Sequence, residues 1–391
     1  MQLKAIDLFA GAGGFTLGAY EAGVDVVAAI ELDKSASNTY RLNFIEEKKI
    51  GVKLINDDIN QVNLSKLRED LNLQIGELDL ILGGPPCQGF STHRIKDSGV
   101  DDPRNSLLLR YFEVVHEFRP KSFLVENVSG LLWKRHAEYL EKFLMLAKSE
   151  GYEIKFCNIL NAKDYGIPQN RKRVFIYGVR IDLSHPNIFF PPKPTHFSPN
   201  SGMLPTWKTA SSVFEPMPED IAKRYIHEYF IPKLKVSKLQ AYEILNSLEF
   251  GKALQENDPC NIHMQPSAKM IERFADTKLN GSREDAGEKH RLKCHSNGYE
   301  GHKDVYGRII IDQPSNTITT GCNNPSKGRF VHPWLNHGIT LRHAARLQSF
   351  PDNFIFCGSA TNQAKQIGNA VPPKLSTILI KQICLNLKNT N

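Results

Sequence analysis

Short apolar runs alternate with amphipathic stretches through the first part of the chain. Residues 4–9, 24–30, 52–59 and 122–128 read as strands, and 78–82 is a short apolar run of the kind a buried parallel strand shows. Helical spacing fills the gaps over residues 16–22, 34–44 and 106–118, the last through Leu107, Tyr111, Val114, Val115 and Phe118. Residues 151–160 and 173–179 predict a closing hairpin-like pair. Strand–helix alternation of this kind predicts an open α/β sheet, which carries its chemistry at the carboxyl ends of the strands.

The alternation is lost at Phe189-Phe-Pro-Pro-Lys-Pro194 and does not return before about Trp334. Residues rich in His, Lys, Arg, Asn and Gly follow in irregular order, as expected of a surface that reads a shape rather than one that builds a core. Helical spacing resumes at residues 340–348, with Arg342 and Arg346 one turn apart. Gln366-Ile-Gly-Asn-Ala-Val-Pro-Pro373 then opens a closing amphipathic helix through Leu375, Ile378, Leu379 and Ile383, expected to pack back on the first domain. The boundaries expected are 1–190 plus about 352–391 for the large domain and about 191–351 for the small one.

With 391 residues, 41% hydrophobic and 23% charged, the composition is that of a folded protein of two domains. A net charge of +7 fits a polyanionic partner. Seven scattered cysteines without framework spacing predict reduced thiols, hence a cytoplasmic protein. The chain starts directly in a strand, and no apolar run reaches spanning length, so neither a signal peptide nor a membrane is expected.

Candidate chemistry sits at the predicted strand ends. Ala10-Gly-Ala-Gly-Gly14 is a tight turn into a helix, whose exposed N–H groups suit a nucleotide-like ligand. Glu31 follows Gly11 by 20 residues, the place for an acid holding ribose hydroxyls. A dinucleotide fingerprint would need glycine where Thr16 stands, which disfavours NAD. Asp57 or Asp58 could accept from an adenine amino group or simply cap the next turn.

The stretch Gly83-Gly-Pro-Pro-Cys-Gln-Gly-Phe-Ser91 fixes a thiol, Cys87, behind two prolines, a shaped loop rather than a packed core. Glu126 at a neighbouring strand end completes a thiol and acid pair suited to nucleophilic addition to a heterocycle. Arg171 and Arg173 alternate on one side of a strand and could hold a carbonyl or a phosphate. Residues 312–321 and 324–330 are turn-rich and polar, suited to phosphate contacts. Cys260-x-x-His263 and His290-x-x-x-Cys294-His295 have spacings open to zinc but lack the symmetry of a four-ligand motif, so no metal is expected.

Taken in order, Asp7-Leu-Phe-Ala-Gly-x-Gly-Gly14, Glu31-Leu-Asp33, Asp58-Ile59, Gly84-Pro-Pro-Cys-Gln-Gly-Phe-Ser91, Glu126-Asn-Val128, Gln169-Asn-Arg-Lys-Arg173, Arg342-x-x-x-Arg-Leu-Gln348 and Gln366-Ile-Gly-Asn369 resemble the cytosine-C5 DNA methyltransferase family of the bacterial restriction–modification type. Only residues from about 190 to 310 lack a match, the stretch that in this family selects the DNA sequence.

The resemblance implies a Rossmann-like, S-adenosylmethionine-dependent large domain and a smaller target-recognition domain. It places Phe9 on the cofactor's adenine, Glu31 on the ribose and Asp58, with Ile59, at the adenine amino group. Ala10, Gly11, Gly13, Gly14, Leu32, Pro85, Leu107 and Asn369 complete the pocket. It implies that Cys87 adds to C6 of a cytosine flipped out of double-stranded DNA and that Glu126 holds the N3 and N4 edge. Arg173 is expected on the pyrimidine carbonyl, with Arg171 supporting the cysteine loop and residues 88–104 closing over the base. S-adenosyl-L-homocysteine would be the product. A monomer is expected; a cognate restriction endonuclease would act on the same site without a stable complex. The tRNA methyltransferase branch, a DNA-binding regulator with a silent site and an NAD oxidoreductase are the alternatives. The long unmatched stretch, the intact Cys87, Glu126 and Arg173, and Thr16 weigh against them in turn.

Overall fold

In the computed structural model the described residues are 2–85, 106–183, 188–290 and 304–388. They divide into two compact units: Met1–Asn161 with Lys172–Pro194 and Ala370–Asn391, and Ala162–Arg171 with Thr195–Asn369. The second unit thus takes a short segment before Lys172, and the chain returns to the first unit at Ala370 rather than at about 352.

The first unit is built on a seven-stranded sheet of β1 (Lys4–Leu8), β2 (Asp25–Ile30), β3 (Lys53–Ile55), β4 (Leu80–Gly83), β5 (Ser122–Val128), β6 (Tyr152–Asn161) and β7 (Lys172–Arg180), in the order β3-β2-β1-β4-β5-β7-β6. Pairing is parallel from β3 to β5; β7 runs antiparallel to both β5 and β6. The order reverses between β1 and β4, the place where open α/β sheets form a ligand crevice.

Helices α1 (Gly14–Glu21), α2 (Lys34–Tyr40), α3 (Leu64–Asp70), α4 (Ser106–Phe118) and α5 (Ala137–Ser149) cover the sheet, with a closing helix at Pro373–Lys388. The apolar face of α4 lies as its spacing predicts: Tyr111, Val114, Val115 and Phe118 are buried with Phe123, Phe143 and Tyr152 in one core. The predicted helix over 34–44 is α2 followed by a π-helical turn, Arg41–Glu47. The strand expected over 52–59 is only three residues, because Asp58 starts a 3₁₀ turn by accepting from the Asn60 N–H at 2.9 Å.

Residues 366–369 do not open the closing helix. They end a separate helix, Ala360–Asn369, in the second unit, and the closing helix starts at Pro373, where a missing N–H costs nothing. The closing helix packs on α1 so tightly that a Cβ at Gly18 would lie 2.2 Å from the Ser376 Cβ.

Among its described residues the second unit has short helices and isolated bridges in place of strands. Contrary to the expectation of a mere reading surface, it builds its own core, including Phe214, Ile309, Ile311, Phe330, Phe350, Phe354 and Phe356. Buried arginines hold its irregular backbone. Arg308 donates to the carbonyls of Thr277, His332 and Leu335, and Arg329 to those of Asn280, Gly281 and Arg308. A guanidinium offers five donors, so one side chain satisfies several loop carbonyls that no ladder reaches. Arg329, expected among phosphate contacts, is spent inside.

Candidate active site

The glycine turn leaves the end of β1 through three left-handed residues, Phe9 (φ 56°), Gly11 (φ 57°) and Gly13 (φ 92°). A left-handed phenylalanine is a strained conformation, of a kind that gathers at ligand sites. The glycines differ in what they allow. A Cβ at Gly13 would meet the Phe44 ring at 2.2 Å and one at Gly14 the Val371 carbonyl oxygen at 2.3 Å, whereas a Cβ at Gly11 would meet nothing within 4 Å. The turn is therefore packed from behind and open at Gly11.

Glu31, at the end of β2, faces that opening. Its Oε2 accepts from the Gly11 N–H at 2.8 Å and its Oε1 from the Asp33 N–H at 2.7 Å. A carboxylate held this way beside an open glycine turn is an arrangement that fits a ribose diol. Ala10 is buried, Leu32 is 66% exposed, and Asp58 stands half-buried as the cap of its own turn. The Ile59 side chain points into the core, and Leu107 packs against the same core.

Behind the turn lies a buried chain of groups that sequence reasoning missed. Thr16 Oγ1 donates to Asp7 Oδ2 at 2.7 Å and lies 2.9 Å from the Tyr40 hydroxyl. Burial pushes the Asp7 carboxyl up to about 7, although Thr16 lowers it. The signal available was Asp7 itself, an ionisable residue inside an apolar strand.

The second cluster sits at the ends of β4 and β5. Glu126 is 7% exposed, and a Cβ at Gly84 would lie 3.4 Å from its Oε2. Arg173, opposite Val128 in the β5–β7 register, places its Nε 3.1 Å from Glu126 Oε1. Burial lowers the Arg173 pKa, and Glu126 acts to raise it. Asn127, unassigned from sequence although it sits within a motif, donates from Nδ2 to the Pro85 carbonyl at 3.3 Å. It ties β5 to the start of the cysteine loop. Tyr111 fills the space that makes residue 83 a glycine, since a Cβ there would lie 2.6 Å from its ring. Cys87 and the loop expected over 88–104 lie outside the described residues.

Arg171 and Asn369 belong to the second unit. Arg171 is 2% exposed and donates to the carbonyls of Ile318 and Gly368 at 3.2 and 3.1 Å; Asn369 is exposed. Of the zinc candidates, Cys260 is buried while His263 stacks on His337 at 4.0 Å; Cys294 and His295 lie outside the described residues. Elsewhere in the unit, Glu215 lies 3.1 Å from the Nε2 atoms of both His332 and His343. The His332 Nδ1 faces the N–H groups of Trp334 and Leu335, which leaves its proton on Nε2, toward the carboxylate. A proton there does not suit a metal ligand.

Residues 3–385 match the family model described as C-5 cytosine-specific DNA methylase. The chain belongs to this family. The methylase is 31% identical to the type II methyltransferase M.DdeI of Desulfomicrobium norvegicum, over 100% of this chain and 90% of that one. It is 32% identical to the type II methyltransferase M.AgeI of Thalassovita gelatinovora, over 97% and 99% of the two chains. Among solved structures, a protein encoded within an E. coli prophage and described as a DNA modification methyltransferase is 25% identical, with a TM-score of 0.67 over 99% of this chain and 100% of that one. The methylase is thus a cytosine-5 DNA methyltransferase on a Rossmann-like α/β fold. Methyl transfer of this class uses S-adenosylmethionine. Among the described residues no helix is long and apolar enough to cross a membrane.

Proposed function

We propose that the methylase binds S-adenosylmethionine at the β1 and β2 ends and a flipped cytosine at the β4 and β5 ends. Phe9 and the turn from Ala10 to Gly14 would cradle the cofactor, with Glu31 on the ribose and Asp58, beside Ile59, on the adenine amino group. Leu32, Pro85 and Leu107 would complete the wall. The observation that carries this reading is the pair of strand-end carboxylates, Glu31 against an open glycine turn and Glu126 against Gly84 and Arg173.

Carbon 5 of cytosine is too weak a nucleophile to be methylated unaided. The Cys87 thiolate adds to C6 while Glu126 holds the N3 and N4 edge and favours protonation at N3, so that electron density moves to C5. When bound, S-adenosylmethionine supplies an electrophilic methyl group, which C5 takes. Loss of the C5 proton to a base then expels the thiolate. Arg173 would contact the pyrimidine carbonyl from its place beside Glu126, and Arg171 would act as a support through its own unit. Reaching the base requires flipping it out of the duplex, at a cost of a few kcal/mol.

The biological reading is host protection in a restriction–modification system in the bacterial cytoplasm, nucleoid-associated while acting. We read it as a monomer without a stable endonuclease complex. The test is methyl incorporation from labelled S-adenosylmethionine into mixed-sequence duplex DNA, followed by mapping of 5-methylcytosine. One short modified sequence is expected, with label lost in Cys87→Ser. Labelling of tRNA alone, or undiminished labelling by Cys87→Ser, would overturn the substrate or the covalent mechanism respectively.

A further inference from the structure

Beyond the end of β5 the chain makes two successive 3₁₀ turns, Ser129–Leu132 and Lys134–His136, with Trp133 between them. Hydrogen bonds fix this junction: the Trp133 N–H donates to the Gly130 carbonyl at 3.0 Å, and the His136 N–H to the Trp133 carbonyl at 2.8 Å. Trp133 is nonetheless 36% exposed, and Lys134 and Arg135 beside it are exposed as well.

The Arg135 guanidinium lies over the Trp133 ring, 4.6 Å from its centre. Its Nε donates to His136 Nε2 at 3.0 Å. Burial, then the charge of Arg135, lowers the His136 pKa, so the imidazole stays neutral and able to accept. One flat face and one edge of the guanidinium are thereby fixed, on a residue that is itself exposed. Among the described residues neither Lys134 nor Arg135 has an acidic partner. A stacked guanidinium with a preset donor fork is the arrangement that phosphate recognition uses.

We propose that Trp133, Lys134 and Arg135 form a backbone clamp for the DNA substrate, with the two cations on phosphates of the duplex flanking the target cytosine. Three observations support it. The turn follows directly from β5, near whose carboxyl end Glu126 stands, so it lies at the end of the sheet that presents the base-holding carboxylate. Among the described residues the two cations have no acidic partner. The stacking holds Arg135 in one direction before DNA arrives, which reduces the ordering cost of the contact. Such contacts position the duplex and carry no sequence information, so the clamp would serve any recognition sequence. The proposal rests on the reading of Glu126 as the residue that holds the target base.

The test is fluorescence anisotropy of a labelled mixed-sequence duplex with the full chain over a series of salt concentrations, for wild type and for Lys134→Ala with Arg135→Ala. Two lost phosphate contacts should reduce the slope of log K against log salt by about 1.8 and weaken binding about tenfold at low salt. Affinity for S-adenosylmethionine, read by calorimetry, should not change. Trp133→Phe should remove a DNA-dependent quenching of tryptophan emission present in wild type. An unchanged salt slope, with or without weaker binding, would overturn the clamp. Failure of the base-holding reading would show separately, as Glu126→Gln retaining methyl transfer at the wild-type rate.

Discussion

At the scale of the residue, Asp7 is the least expected feature. It is a carboxyl inside a core strand, 1% exposed, with Oδ2 bonded to Thr16 and Oδ1 without a hydrogen-bond partner among the described residues. Its raised pKa works against the fold at neutral pH. Well below 3.8 the group is protonated in both folded and unfolded chains and has no effect. As pH rises, the unfolded chain ionises from the ordinary value of 3.8 while the folded chain resists until about 7, so stability falls across that window and levels off above it. At roughly 1.4 kcal/mol per unit the loss is about 4 kcal/mol. Asp7→Asn keeps an oxygen for Thr16 and cannot ionise. In urea melts it should lie close to wild type near pH 4 and well above it at pH 8; equal midpoints at both values would mean that Asp7 is not buried as described.

Glu31 is the opposite case, a residue whose place was legible because it stands at a fixed distance from a glycine turn at a strand end. What the sequence could not show is that both its oxygens already hold backbone N–H groups. Removing the carboxylate should therefore disturb the turn as well as any ribose contact. Glu31→Ala is expected to raise the dissociation constant for S-adenosylmethionine at least tenfold by calorimetry, a loss of about 1.4 kcal/mol or more, close to the lower end for a hydrogen bond to a charged group. Unchanged affinity would remove Glu31 from the site.

At the scale of the element, α1 and the closing helix show where sequence periodicity stops being sufficient. A helix over 16–22 and the apolar face of the closing helix were legible, but their contact is set by a small residue, Gly18, whose missing Cβ lets the backbone of Thr377 approach. Helix propensity alone favours alanine at an internal glycine by up to about 1 kcal/mol. Packing decides otherwise: an added Cβ would lie 2.7 Å from the Thr377 nitrogen and 2.2 Å from the Ser376 Cβ. Gly18→Ala should lower the melting temperature, with a net loss of about 1–3 kcal/mol, the usual cost of overpacking. A higher melting temperature would show that the two helices can part without penalty.

The same limit explains which elements the sequence revealed. β1, β2, β4, β5 and α4 announce themselves because each is a largely apolar run or a single apolar face. The helix at Ala360–Asn369 was hidden because its residues are mostly polar, including the buried Gln363 and Gln366. In the second unit the polar residues that suggested an outward surface are partly interior. Arg342 pairs with Asp258 at 2.6 Å with only 1% of its side chain exposed, a long-range contact that no local spacing encodes.

At the scale of the whole molecule, the first unit is assembled from three stretches of chain, and the last of them, 370–391, arrives after the entire second unit has been made. It brings the closing helix, which buries Leu375, Leu379, Ile380, Ile383 and Leu387. At about 1.5–3 kcal/mol for each fully buried aliphatic side chain, these residues contribute roughly 10 kcal/mol, as much as the net stability of a typical domain. They cover the face of α1, whose first residues form the glycine turn. A chain ending at residue 369 should therefore lose the cooperative thermal transition of the first unit and, with it, binding of S-adenosylmethionine, although Phe9, Glu31 and Asp58 are all present. Circular dichroism melts and calorimetry on the truncated chain read both effects. Retention of wild-type cofactor affinity would mean that the sheet and its glycine turn hold their shape without the helix, and that the late return of the chain is a matter of topology rather than of stability.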